Sequence, residues 1–155
     1  MKVVSLRVLR ILSLSLVTLA AARALHSSYC ALAHGAVLRK EFYSAAQLGA
    51  IADDPATGNL APGEVAMMNF AGKIASDASS ITQGDVQALR DHGFTDTEIF
   101  DIAAAAAARC FFSKLLDALG AEPDAAYLRM EEDLRKRLTV GRAIGTGAEE
   151  HASGG

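Results

Sequence analysis

The stretch TDTEIFDIAAAAAARCFFSKLLDALG, Thr95 to Gly120, decides the fold class. Thr95 followed three residues on by Glu98 is the reciprocal capping pair that opens a helix, and Gly120 is the residue type that closes one. Between them Ile99, Ile102, Phe111, Phe112, Leu115 and Leu116, with alanines from 103 to 108, are apolar nearly all round. Such a segment predicts a long central helix. Alanine is the strongest helix former and permits close helix approach, so the tract is not read as linker.

Outward from this helix, almost every boundary signal is again helical. A first helix is predicted from about Val4 to Leu25, broken at His26-Ser27, and a second from Ser28 to Glu41. Ser44 with Gln47 is a capping box, and DDPATGNLAPG is a loop by its prolines and glycines. Pro62 suits a first helical turn, followed by Val65, Met68, Phe70 and Ile74 up to about Asp77. Thr82 with Asp85 opens a short helix that stops at Gly93, and Pro123 starts a final amphipathic segment with Tyr127, Leu128, Leu134 and Leu138. No alternating run reads convincingly as a strand. The expectation is all-α: a compact bundle of about six or seven helices. Residues 1–140 form a single domain with an atypical N-terminus over 1–14, and residues 141–155, glycine-rich and polar, a disordered tail.

The chain has 155 residues, 51% of them hydrophobic and 21% charged, enough for one domain that buries a core without staples. A net charge of −3 and the absence of a basic stripe leave no electrostatic footprint for nucleic acid. Cys30 and Cys110 do not form a secreted disulfide framework and fit reduced thiols in the cytoplasm. Against this, MKVVSLRVLRILSLSLVTLAAARA has early basic residues, an apolar run from Ile11 to Ala22, and then small residues. That is signal-peptide grammar, so export is the alternative localisation. The run is shorter than the roughly 20 residues a membrane span needs, and no membrane partner is expected. A cut near Ala24 would remove the helix expected to pack on the cysteine segment.

That segment, HSSYCALAHG from His26 to Gly35, carries the chemistry. On a helix Cys30 and His34 stand at i and i+4, on one face and within reach. Cys30 also lies in the first turn, where free N–H groups and the helix dipole favour an anion. Both effects favour the thiolate, the reactive form; an ordinary free cysteine is only about 3% ionised at pH 7. Ser27 and Ser28 are candidates to cap the helix or hydrogen-bond the sulfur. The plainer alternative is a buried structural cysteine with a histidine at helical spacing by chance. Two ligands at i, i+4 need a third and fourth for a metal, and none is found, so no metal is expected. No glycine-rich phosphate loop follows a strand, so flavin, haem and nucleotide are not implied and no cofactor is expected.

The stretch SLVTLAAARALHSSYCALAHG resembles the active-site helix pair of the alkylhydroperoxidase-like and carboxymuconolactone decarboxylase superfamily. The likeness continues through VAMMNFAGKIASDASSITQGDVQALRDHGFTDTEIFDIAAAAAARCFFSKLLDALG and covers about Ser15 to Tyr127. Peroxidase members carry Glu-x11-Cys-x-x-Cys-x3-His. The second cysteine and the histidine match Cys30 and His34, while the first cysteine is Ser27 here and the glutamate is Ser15. The resemblance implies a thiol-dependent peroxidase in which Cys30 attacks a hydroperoxide, His34 is its imidazolium partner and proton donor, and Ser27 orients the sulfur. Without the local resolving thiol, turnover needs an external thiol reductant, or Cys110 as a distant resolver. The resemblance also implies a homo-oligomer, to which the Met67/Met68 and Phe111/Phe112 clusters are suited. Two alternatives stand beside it: a decarboxylase-like enzyme that needs His34 and no redox cysteine, and a degenerate, non-catalytic helical oligomer subunit. Cys110 itself reads more plainly as structural, and Arg109 as a partner for Asp101, Asp117 or another chain.

Overall fold

Capping residues set most of the helix boundaries in the computed structural model, which describes residues 6–146. The seven α-helices among the described residues are α1 (Leu6–Ala24), α2 (Ser28–Glu41), α3 (Ala45–Asp53), α4 (Pro62–Asp77), α5 (Gln83–Asp91), α6 (Asp96–Ala118) and α7 (Glu132–Leu138). Thr82 and Thr95 each accept a hydrogen bond from the backbone three residues on, and the Asp85 and Glu98 carboxylates in turn accept one from the threonine N–H groups. Gly93 and Gly120, with φ of +88° and +76°, turn the chain out of α5 and α6 in the left-handed region that glycine enters without strain. Ser44 forms only half of its expected box. It caps Gln47 N–H, but the Gln47 amide donates instead to the Gly58 carbonyl, tying α3 to the following loop. The final segment is interrupted: a 3-10 turn over Ala125–Arg129 precedes α7, and of its apolar residues Leu134 and Leu138 are buried while Leu128 is exposed.

The central helix is α1, not α6. It packs against α2, α3, α4 and α6, and buries Leu16, Val17, Leu19, Ala21 and Ala22. The α6 pattern misleads because its alanines look apolar in every direction. Only one face, marked by Ile99, Ile102, Ala106 and Ser113, is turned inward. Phe100, Phe111, Phe112, Leu115 and Leu119 are exposed. Met67 and Met68 lie in the core, at 1% and 2% exposure, and so are not available as a subunit contact.

At the C-terminal end, Gly141 N–H donates to Ser28 Oγ at 2.8 Å and Gly145 N–H to the Pro123 carbonyl at 3.0 Å. A Cβ at Gly141 would run into the His26 carbonyl oxygen, so this close approach requires glycine. Gly141 is thus held against the start of α2 and Gly145 against the chain that follows α6; the rest of the expected tail, 147–155, lies outside the described residues, as does His151. No helix among the described residues is long and apolar enough to cross a membrane.

Candidate functional site

Helix α2 begins at Ser28, two residues after His26, whose φ of 54° turns the chain sharply off α1. The turn places Ser27, Ser28 and Cys30 against the core, all essentially inaccessible. Burying hydroxyls and a thiol is unfavourable unless they find partners. Yet the buried polar side chains of the described residues are Ser15 and Thr18 on α1, Ser27 and Ser28 at the start of α2, and Ser113 on α6. They lie on the three helices that meet around Cys30.

The partner of the sulfur is Ser113. Its hydroxyl donates to Cys30 Sγ at 3.2 Å, fully buried. Ser27, the residue expected to orient the sulfur, does not: its Oγ, like Thr18 Oγ1, is buried with no hydrogen-bond partner among the described residues. Nor does Ser27 cap α2 with its side chain, although it occupies the N-cap position. Ser28 is used elsewhere, accepting from Gly141.

His34 lies one turn further along α2, half-buried, with Nδ1 3.5 Å from Ser15 Oγ. No hydrogen bond joins His34 to Cys30, so the described residues do not form a Cys-His dyad. The imidazolium expected from the sequence is also disfavoured. Burial and, secondarily, the nearby Arg109 cation push the His34 pKa down to about 4, leaving the ring neutral at pH 7. A neutral imidazole can accept a proton; it cannot supply a resident positive charge. That charge is carried by Arg109, on the same face of α6 as Ser113.

Both cysteines are free: Cys30 is buried and Cys110 half-buried, three residues before Ser113 on α6. His26 is exposed and its Nδ1 stands 3.3 Å from the Val140 carbonyl, so it anchors the C-terminal segment. His92 is exposed at the end of α5. Among the described residues no group of three or more His, Cys, Asp or Glu side chains is placed to hold a metal ion. The sequence did not reveal Ser113, because its partner lies 83 residues away and serine in an apolar helix carries no distinctive spacing.

The all-α bundle is similar to known structures. The alkylhydroperoxidase AhpD core of Ralstonia eutropha, an uncharacterized peroxidase-related protein, is similar at a TM-score of 0.69 and 29% identity, over 76% of this chain and 62% of that one. An uncharacterized peroxidase-related protein from a Silicibacter species is similar at a TM-score of 0.61 and 25% identity, over 75% of this chain and 61% of that one. The chain therefore spans less than two thirds of the length of these two proteins. No protein-family model matches it, and no curated protein does. The fold is the alkylhydroperoxidase-like one. Structural homology supports placing the chain with the peroxidase-related members of that superfamily.

Proposed function

We propose that the protein is a thiol-dependent peroxidase that reduces hydroperoxides through Cys30. The observation that carries this reading is the hydrogen bond from Ser113 Oγ to Cys30 Sγ inside a set of buried hydroxyls. A structural cysteine needs no such donor, whereas a thiolate or a sulfenate is stabilised by it. His34, neutral in its surroundings, takes the Cys30 proton as the substrate enters, directly or through one water. The thiolate attacks one peroxide oxygen and the O–O bond breaks. The sulfur is oxidised to sulfenic acid, and the departing alkoxide takes the proton from His34 and leaves as the alcohol. Two equivalents of an external thiol then return the sulfenic acid to thiol, releasing water and one disulfide. Ser15, bonded to His34, positions the ring where peroxidase relatives use a carboxylate. We place the protein in the cytoplasm, where such thiols are abundant, and as a homo-oligomer joined through Phe100 and Phe111 on the exposed face of α6.

Intact-mass analysis of reduced protein, treated with one equivalent of hydroperoxide and a sulfenic-acid trap, tests the reading. Rapid formation of one adduct that disappears in Cys30→Ser supports it. Loss of two hydrogens without an adduct assigns Cys110 as resolver. Slow oxidation indifferent to Cys30→Ser rejects it in favour of a non-catalytic helical subunit, to which the deep burial of Cys30 and the lack of a Cys30–His34 hydrogen bond are suited.

A further inference from the structure

Arg109 stands on α6 one turn before Ser113, so its guanidinium and the hydroxyl that holds Cys30 leave the same side of the helix. The side chain is half-buried, its guanidinium carbon 5.8 Å from the centroid of the Phe112 ring. Its charge is felt at His34. Of the other half-buried arginines among the described residues, Arg39 pairs with Glu131, and Arg23 and Arg135 donate to the carbonyls of Arg137 and Leu128. Arg109 has no ion-pair partner among the described residues, and the pairings with Asp101 or Asp117 suggested by the sequence are not made. His34 does not compensate it, being neutral, and Ser15 beside the ring carries no charge. A partly desolvated guanidinium of this kind is unfavourable by itself and is well suited to accept a carboxylate through paired N–H donors. Phe112, 42% exposed beside it, supplies an apolar surface continuous with that charge.

We infer that Arg109 is the anion-recognising residue of the Cys30 site, and that the hydroperoxides reduced there carry a carboxylate on an apolar body. The carboxylate lies on the guanidinium, the apolar body along Phe112, and the peroxide oxygen toward Cys30 Sγ. The substrate class rests on the peroxidase reading; the anion site does not.

Two measurements separate them. The first is calorimetric titration of Cys30→Ser protein with decanoate and with decanol, its neutral counterpart. Decanoate is expected to bind about tenfold more tightly than decanol. Arg109→Leu removes that preference and Arg109→Lys keeps part of it, with circular dichroism confirming that each variant is folded. Equal affinity for acid and alcohol, or decanoate binding indifferent to Arg109→Leu, overturns the anion site. The second compares the rate of Cys30 sulfenic acid formation by linoleic acid hydroperoxide and by tert-butyl hydroperoxide. The ratio of the two rates is expected to favour the acid and to fall about tenfold in Arg109→Leu. An unchanged ratio overturns the substrate class while leaving the peroxidase reading intact. If neither hydroperoxide oxidises Cys30 but decanoate binding still depends on Arg109, the peroxidase reading fails and the anion site stands.

Discussion

Burial of an uncharged imidazole fixes the sign of one pH dependence. His34 titrates near 4 in the fold against an ordinary value of 6.5, so between those limits the unfolded chain binds a proton that the folded chain refuses. Its contribution to stability is therefore complete above about pH 6.5 and declines as pH falls toward 4. Discounted for the partial exposure of the ring, the loss is on the order of 1–2 kcal/mol. Urea midpoints measured across that window should drop, and His34→Gln should flatten the curve. Asp85, held near 2 chiefly by its hydrogen bonds from Lys73 and Thr82, titrates below the same window and does not mask the effect. The two serines at the sulfur should separate in the same assay. Ser113→Ala removes the donor to Cys30 Sγ and is expected to destabilise by about 1 kcal/mol and to slow Cys30 oxidation. Ser27→Ala removes an unpartnered buried hydroxyl and should be neutral or stabilising by up to about 1 kcal/mol. Equal losses in both variants would contradict these assignments. Local spacing placed the candidates Cys30 and His34 one turn apart on a single helix, but not their partners, which are Ser113 and Ser15. Ser113 was not legible in the sequence, since its role arises only when α6 folds against α2.

Between elements, the back of the site is closed where α7 meets α2. Gly35, directly after His34, is buried, and a Cβ there would come within 2.5 Å of Leu138 Cδ1. Leu138 is itself fully buried, so the leucine fills the space the glycine leaves. Leu138→Ala should cost about 2–5 kcal/mol through the cavity it opens. Gly35→Ala gains about 1 kcal/mol of helix propensity but overpacks by about 1–3 kcal/mol, for a smaller net loss. The double variant should be more stable than the sum of the singles predicts by about 1 kcal/mol or more, because the new methyl enters the vacated space. Urea denaturation of the four proteins completes the cycle, and strict additivity would mean that the two positions do not share that space. Element boundaries were the most readable feature of the chain: Thr82, Thr95, Pro62 and the two positive-φ glycines act locally, through backbone groups only a few residues away. The rank of the helices was not readable, because an alanine tract has no large side chain to mark its inward face. The structure gives the central place to α1.

At the scale of the whole molecule, that central place makes residues 6–24 a test of both fold and localisation. Leu16 and Leu19 are fully buried, and Ser15 sits against His34 from the same helix. Arg7, Arg10 and the apolar run from Ile11 to Ala22, part of the segment that resembles a signal peptide, belong in the fold to a helix that packs against four others. Composition cannot distinguish the two, since a secretion signal and a buried helix both require an unbroken apolar segment. Removing residues 1–24 would strip from α2, α3, α4 and α6 the apolar surface they share, and large stretches of core would face water. At about 1.5–3 kcal/mol for each buried leucine or valine side chain, losing Leu16, Val17 and Leu19 together costs about 5–9 kcal/mol, comparable to the whole stability of a domain of this size. The shortened protein should therefore lack a cooperative thermal transition by circular dichroism and bind a hydrophobic dye, whereas the full chain melts cooperatively. A shortened chain that melts cooperatively near the temperature of the full chain would mean that α1 is dispensable to the core, and would favour the exported form over the cytoplasmic one.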